Sequence, residues 1–551
     1  MSEPTLLLGP QLTAMVGSSP VAKQRDLTVR QVTIDRVPVF WVDAPGETHI
    51  GLSFRVGQTD ETLATHGLTR LVQRVIVAQL RQSGFAVDGL SGPVITSFTA
   101  SGTSEQMVEL LAQTCGVLRE MSTERIETEA RSQRGEARRG GSSVLGMALS
   151  NVFGAQGLGL MGHEEWGLAQ VSADDIESWR DKWFHAGNAA LWVAGPPPRR
   201  ARLPLPAHRS ALAAVASPEP IEQLPFWCGP AEGGVQLAAT VRRSPYGEFV
   251  AEIISERLLR TLRSPAGRPY RLTAEVDGVG ANHDLFTLWC NGPEQDSQMI
   301  QAAMLRELRS LAAAGPGLEE LRLWRVTLER HRNTAPEAGA SEASHAARCF
   351  LLDEVFVPLA DAIAAFPTAP SGRAAKGRDH DCDEIVASVA DYAAELEQSA
   401  VWALTGGVED RRIPRVRNSS TQRVYGSRHR SAAPASNPRS ASVLVIDTSG
   451  VSLEVDAVTS WTVLLDDLAV AVAWNDGGWT LVGRDGFGVA VHPREWIGIE
   501  RPLERLTAAI PQQLVRRSGE PFLGDAVPEL LAPKPPAGLF DRLSRRSSRH
   551  S

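Results

Sequence analysis

The sequence predicts an α+β chain: two mixed α/β blocks in series, followed by a small antiparallel β domain. Three observations carry this. Strand-type alternation and helix-type periodicity succeed one another in a similar order twice, over residues 28–206 and 225–410. A Pro/Ala-rich stretch opened by Pro196-Pro197-Pro198 separates them and places a linker at 207–224. From residue 441 to 515 the texture changes to short β-rich runs between turn signals.

In the first block, Arg30 to Val42 alternates apolar and polar residues and reads as a strand, as does Ile50 to Val56. Thr62 to Gln82 reads as one long helix with Leu68, Leu71, Val72, Val75 and Ile76 on its apolar face. Val94 to Ala100 is a strand, and Ser104–Met121 and Ser122–Arg139 are helices. Ser172-x-x-Asp175 resembles a capping box and opens a helix that runs to His185. Ala189 to Ala194 closes the block as a strand.

The second block offers strands near Gln236–Val241, Tyr270–Val276 and Leu285–Cys290. Its helices fall near Glu248–Arg263, Gln295–Ala313, Leu318–Arg332 and Glu384–Gln398, and Ala400–Thr405 is its last strand. The shared element order is what a structural duplication would leave, although the two blocks share little sequence. Residues 411–440 are rich in Arg, Ser, Asn and Pro and read as a disordered tether. The β domain is built on Ser442–Ile446, Trp461–Leu465, Ala469–Trp474, Trp479–Val482 and Gly488–His492. Residues 1–27 form an N-terminal extension and 516–551 a basic tail.

Length and composition exclude several classes. A chain of 551 residues is too long for one ordinary domain, and 43% hydrophobic content is globular. A net charge of −8 argues against nucleic acid as a general partner. No apolar run approaches the ~18 residues of a membrane span, so a membrane role is not expected. The N-terminus lacks the basic and apolar regions of a signal peptide. Cys115, Cys228, Cys290, Cys349 and Cys382 are scattered with no C-x-x-C, which suits a reduced, cytoplasmic setting.

The most telling stretch is Gly67-Leu68-Thr69-Arg70-Leu71-Val72-Gln73-Arg74. The inverted zinc motif H-x-x-E-H supplies two imidazoles one helical turn apart and a carboxylate base beside them. Here those positions read R-L-V-Q-R. Further pieces follow in order: Val56-Gly57 with Glu61 before the helix, Glu127-x-Glu129 in a later helix, and Trp179 to Gly195 as a helix and an N-x-x-L-x-V-x-G strand. Leu262-Arg263 and Gly267-Arg268-Pro269-Tyr270 follow in the second block. On these residues the chain from 28 to 410 resembles one subunit of the insulinase/pitrilysin (inverzincin) peptidases, in their half-length, dimer-forming branch. The resemblance implies two insulinase-type domains forming half a clamshell.

The chain departs from that pattern at the chemistry. Arg70 and Arg74 replace the two histidines, and guanidinium has no lone pair to offer a metal. A fixed positive charge ~4 Å from each charge of a dication costs about 4 kcal/mol at an effective dielectric of ~20. Gln73 replaces the carboxylate, and an amide cannot take up a proton at neutral pH. Glu127, in the place of the third ligand, lies closer to the motif than the family's spacing. No metal or other cofactor is therefore expected in this chain, and any zinc is expected in a partner. The resemblance also implies a role for Arg263 and Tyr270, seven residues apart as in the family's non-zinc half. There an arginine and a tyrosine bind the substrate carbonyl and the developing oxyanion across the chamber, a sound use of a cation and a phenol. The plainer alternative is a helix-end charge and an interior strand residue.

Other candidates carry less. Asp379-His380-Asp381-Cys382-Asp383-Glu384 reads as a loop entering a helix with acids at its start, and His163-Glu164-Glu165 as a surface turn. His66 alone makes a poor ligand site. No nucleophile elbow, Walker loop or dinucleotide fingerprint is present. The C-terminal β domain is similar in texture to pleckstrin-homology-like modules, which suggests docking of a partner or clamping onto this same chain.

The expectation is a non-catalytic subunit whose partner is a zinc-bearing homologous subunit and whose substrate is a peptide, such as a leader of a ribosomally made product. The alternative is a stand-alone, catalytically dead peptide-binding or scaffold protein of the same fold. A third reading, zinc held by His66 and Glu127, requires stoichiometric metal in the isolated chain.

Overall fold

The computed structural model describes residues 26–140, 144–196, 200–207, 219–229, 234–263, 271–280, 282–335, 337–367, 379–405, 407–408, 410–416, 420, 422–432, 442–455 and 459–519. The side chains of 137–140, Val144, Ala169, Arg263 and 379–381 are outside that description.

The first half opens with β1 (Arg30–Ile34) and β2 (Val37–Val42), a hairpin where one strand was expected. Asp35 and Arg36 turn the chain with φ of 48° and 71°. Ile34 pairs with Val37 three residues on, so the alternation shifts phase across the turn, from Val32 and Ile34 to Val37 and Val39, a break that the single-strand reading passed over. After β3 (Thr48–Phe54) come α1 (Leu68–Gln82), β4 (Asp88–Ser91), β5 (Thr96–Gly102), α2 (Ser104–Arg119), α3 (Ile126–Gly140), α4 (Val144–Phe153), α5 (Ala173–Trp183) and β6 (Ala189–Ala194). The capping box on α5 is formed: the Asp175 N–H donates to Ser172 Oγ at 3.1 Å, and the Ser172 N–H donates to Asp175 Oδ2 at 2.9 Å.

The second half repeats this plan with β7 (Phe226–Cys228), β8 (Val235–Arg242), α6 (Gly247–Arg263), β9 (Leu272–Gly280), β10 (His283–Cys290) and α7 (Ser297–Ala314). It continues through α8 (Leu318–Thr334), α9 (Ala338–Leu351), α10 (Leu359–Ala365), α11 (Asp379–Gln398) and β11 (Val401–Ala403). The sheets run β1-β2-β6-β3-β5-β4 and β7-β11-β8-β10-β9. Setting aside β1 makes them match in order and direction. Each has one parallel pair, β2–β6 and β7–β11, and antiparallel pairs elsewhere. The duplication suggested by element order is thus written in the topology.

One face of each sheet carries its own helices. α1, α2, α3 and α5 pack into the first core, and α6, α7 and α11 into the second. The other faces are covered reciprocally. α4 of the first half lays Ala148, Leu149, Val152 and Phe153 under β7, β8 and β11. α9 of the second half lays Ala346, Ala347 and Leu351 against Phe40 and Ala190 of the first sheet. Neither α4 nor α9 was expected as a helix.

The C-terminal module holds two four-stranded sheets. One is β12 (Ser427–Arg430), β13 (Val443–Ile446), β14 (Gly450–Glu454) and β15 (Ser460–Leu464). The other runs β18-β17-β16-β19, from β16 (Leu468–Ala473), β17 (Trp479–Gly483), β18 (Gly488–Val491) and β19 (Val515–Arg517). Helix α12 (Glu500–Ala509) precedes β19 and places Leu503 and Leu506 in the common core. β12 and buried Val424 and His429 correct the tether expectation for that part of 411–440. Similarly, β19 corrects the first residues of the 516–551 tail; residues 520–551 and 1–25 lie outside the described residues. No described helix is long and apolar enough to cross a membrane.

Candidate functional site

Gly67, not Thr62, marks the start of the motif helix. It holds φ at 91°, a left-handed conformation that ends any helix entering it, so the expected single helix splits into a 3-10 turn at Leu63–Thr65 and α1. The start of α1 is then capped from a distance. Glu61, buried, accepts the Gly67 N–H at 2.8 Å and the Thr69 N–H at 2.7 Å, with His66 Nδ1 at 3.2 Å. A carboxylate here satisfies orphan amides and complements the positive end of the helix. His66 is thereby committed to the cap.

Within α1 the spacing of Arg70, Gln73 and Arg74 puts them on one side, toward α3 and β4. Arg70 donates to Glu136 Oε2 at 2.9 Å. Arg74 Nη1 donates to both Glu136 oxygens at 3.0 and 2.8 Å, Arg74 Nε donates to Glu129 at 3.3 Å, and Nη2 donates to Ser132 Oγ at 3.1 Å. Arg70, Arg74 and the two carboxylates, with Arg125 also 3.5 Å from Glu129, thus close an ion-pair cluster between α1 and α3. Glu127, expected at the third ligand position, is not in it. Its side chain is 85% exposed and pairs with Arg131 one turn along α3. Two residues of helix rotate Glu127 about 200° away from Glu129. The face toward α1 is instead Glu129, Ser132, Gln133 and Glu136. That i, i+3, i+4, i+7 polar stripe was present in the sequence and could have singled out Glu136 and Gln133.

Gln73 is buried and turns to the sheet. A Cβ on Gly89 of β4 would stand 1.9 Å from its Nε2, so a residue without a side chain is what lets the amide lie against the strand. Gln133, fully buried, donates to the Gly67 carbonyl at 3.0 Å and to Glu165 at 2.9 Å. Glu165 in turn packs on Gly67. The His163–Glu165 segment is therefore part of the support for α1, which corrects its reading as a surface turn. Burial, together with nearby His66, lowers His163 to about 4, so it is neutral at physiological pH.

The donor set does not suit zinc. Both guanidinium groups lack lone pairs, and the two glutamates are already engaged by them. Among the described residues no three histidine, cysteine, aspartate or glutamate side chains converge as a metal requires. The cysteines are all free, and burial pushes the Cys115, Cys228 and Cys290 thiols up to about 12, far from nucleophilic.

The second half holds a related clasp. Arg257 on α6, the counterpart of α1, donates to both oxygens of Glu320 on α8, the counterpart of α3, at 2.8 and 2.7 Å. Arg263 is the last residue of α6. Tyr270 lies outside the described residues, so the expected Arg263–Tyr270 pair is not brought together or separated here.

No protein-family model and no curated protein matches the sequence. Solved structures do match in fold. The inactive M16 peptidase domain from Pseudomonas fluorescens aligns with a TM-score of 0.52 at 12% identity, over 69% of this chain and 99% of that one. An M16-like peptidase from Alicyclobacillus acidocaldarius aligns at 0.51 and 13%, over 70% and 100%. The whole periplasmic protease PqqL from Escherichia coli aligns at 0.51 and 13%, over 78% of this chain and 56% of PqqL. Two topologically equivalent halves and these alignments give one conclusion: this chain has the fold of one M16 peptidase half-unit, followed by a β module.

Proposed function

We infer that this chain is a non-catalytic subunit of a heterodimeric insulinase-type zinc metallopeptidase that cleaves a small peptide, such as the leader of a ribosomally made product. The observation that carries this is the Arg70–Arg74–Glu129–Glu136 cluster, in which ion pairs occupy the helix positions that the resemblance assigns to zinc ligands. The chemistry must then come from a homologous subunit carrying an intact motif and its zinc.

What this chain supplies is binding and polarisation. β4 is the outermost strand of the first sheet, and Leu90 on it is 69% exposed. Such an edge offers backbone groups and an apolar side chain to an extended peptide. Arg263 and Tyr270 would present a cation and a phenol to the carbonyl oxygen held in the partner's site, where preorganised donors stabilise developing charge. The pleckstrin-homology-like texture of the C-terminal module would serve docking within the assembly.

The test is reconstitution. The chain is assayed for peptide hydrolysis alone and mixed with a homologue bearing intact H-x-x-E-H. Activity only in the mixture is expected, with Arg263→Ala and Tyr270→Phe lowering turnover ~10²-fold while assembly persists. Peptide binding without activity in any mixture would instead select the scaffold alternative. Hydrolysis and stoichiometric zinc in the isolated chain would overturn the reading.

A further inference from the structure

The second sheet of the C-terminal module is apolar on both sides. From β16, Leu468, Ala471 and Ala473 enter the module's own core. Val470 and Val472, with Val482 of β17, lie against Leu63, Ala64, Ala155 and Leu160 of the first half. Leu63 and Ala64 form the turn that leads into Gly67 and α1. Polar contacts reinforce the seam. Arg516 Nε donates to the Ala64 carbonyl at 2.9 Å, the Arg517 N–H to Gln170 Oε1 at 3.1 Å, and the Ala155 N–H to the Arg484 carbonyl at 2.9 Å. The last approach is close: a Cβ on Gly154 would stand 2.1 Å from the Arg484 oxygen.

The docking turn, Arg484-Asp485-Gly486, sits on the C-terminal end of α4, with Gly486 near the Ser150 carbonyl. Asp485 is partly buried in this turn. Its carboxylate accepts the Phe487 N–H at 3.1 Å. The charged groups facing it are Asp467, from the turn before β16, and Glu222, from the segment joining the two halves. The negative end of the α4 dipole lies on the same side. Ionised Asp485 therefore meets negative charge from three elements.

We propose that the C-terminal module is a latch on the lead-in to α1, and that Asp485 makes its grip weaken as pH rises. Burial first, and Asp467 beside it, raise the Asp485 carboxyl from 3.8 to about 6. Release takes Asp485 away from Glu222 and from the end of α4, so the docked state holds the proton more tightly than the released state. Docking is strongest below the ordinary carboxylate range and is lost progressively as pH rises through about 6. The limiting change is at most about 10²-fold in the docking equilibrium, since each pKa unit is a factor of ten and Asp467, within the module, stays beside Asp485 on release. The inference stands on these contacts and not on the peptidase reading.

Hydrogen exchange on the full chain tests it, with rates corrected for intrinsic chemistry and followed from pH 5 to pH 8. In the wild type, protection of Leu63–Arg70 and Gly157–Gln170 should fall as pH rises, while strands β13 and β14 stay protected. Asp485→Asn should flatten that dependence and keep the pH 5 protection at pH 8. Arg516→Ala should reduce protection of the same segments at every pH. Wild-type protection that does not vary with pH, or the same variation in Asp485→Asn, would remove the pH dependence. Unchanged protection in Arg516→Ala would remove the latch.

Discussion

Arg74 on α1 and Glu136 on α3 meet through one guanidinium nitrogen that reaches both carboxylate oxygens, at 3.0 and 2.8 Å. Arg70 shares the same glutamate. The first prediction concerns this pair. A double-mutant cycle on Arg74→Ala and Glu136→Ala should give a coupling of about 0.5–1 kcal/mol in chemical denaturation, because the groups are partly exposed. The coupling should shrink in 1 M salt, where the screening length is about 3 Å. Zero coupling at low salt would mean that the cluster does not tie α1 to α3.

The facing carboxylates change what restoring the motif should do. Arg70→His, Gln73→Glu and Arg74→His together place two imidazoles opposite Glu136, which loses both its arginines, and Glu129, which keeps only Arg125 at 3.5 Å. This variant should gain zinc, measurable by metal analysis after dialysis. It should still hydrolyse no peptide alone, since one chain supplies half of the expected chamber. Turnover by the isolated variant would refute the need for a partner.

Glu61 accepts three donors in a buried position at the start of α1. Glu61→Ala should cost about 1–3 kcal/mol in unfolding free energy, by orphaning buried amides and removing a favourable charge from the helix end. Urea denaturation checks this, and a loss below about 0.5 kcal/mol would deny Glu61 its capping role.

Gly89 and Gln73 should behave as a compensating pair. Gly89→Ala drives a methyl group into the Gln73 amide and should destabilise by about 1–3 kcal/mol. Adding Gln73→Ala should recover part of that loss. Equal or greater instability in the double variant would show that the amide is not what occupies the space.

Long periodic elements were legible in the sequence, and elements that depend on the tertiary neighbourhood were not. α7 and α8 show apolar residues at helical spacing over several turns, and β6 is a continuous apolar run, so each was found near its true bounds. α9 escaped because Ala338-Gly-Ala-Ser-Glu-Ala-Ser has little apolar contrast. Its small residues matter for close packing: Gly339 lies against Val42, Ala44 and Ala194. β4 is short and polar, and β12 hides in an arginine-rich run whose partner strand lies beyond it in sequence. At the site, Arg70, Gln73 and Arg74 were placed correctly on a helix. The choice of Glu127 failed because spacing along the chain was weighed without the rotation of α3. The unbroken apolar run of β16 was a missed sign of a strand buried on both faces, hence of a docked module.

The reciprocal loan of α4 and α9 has a mechanical consequence. Each half finishes the other's hydrophobic interior, so neither is a complete body on its own. A protease cut between 207 and 218 should leave a nicked particle that migrates as one species under native conditions and falls apart only when denatured. In the proposed heterodimer, opening and closing around a peptide would then occur between the two chains, because the described parts of the two halves are packed together through α4 and α9.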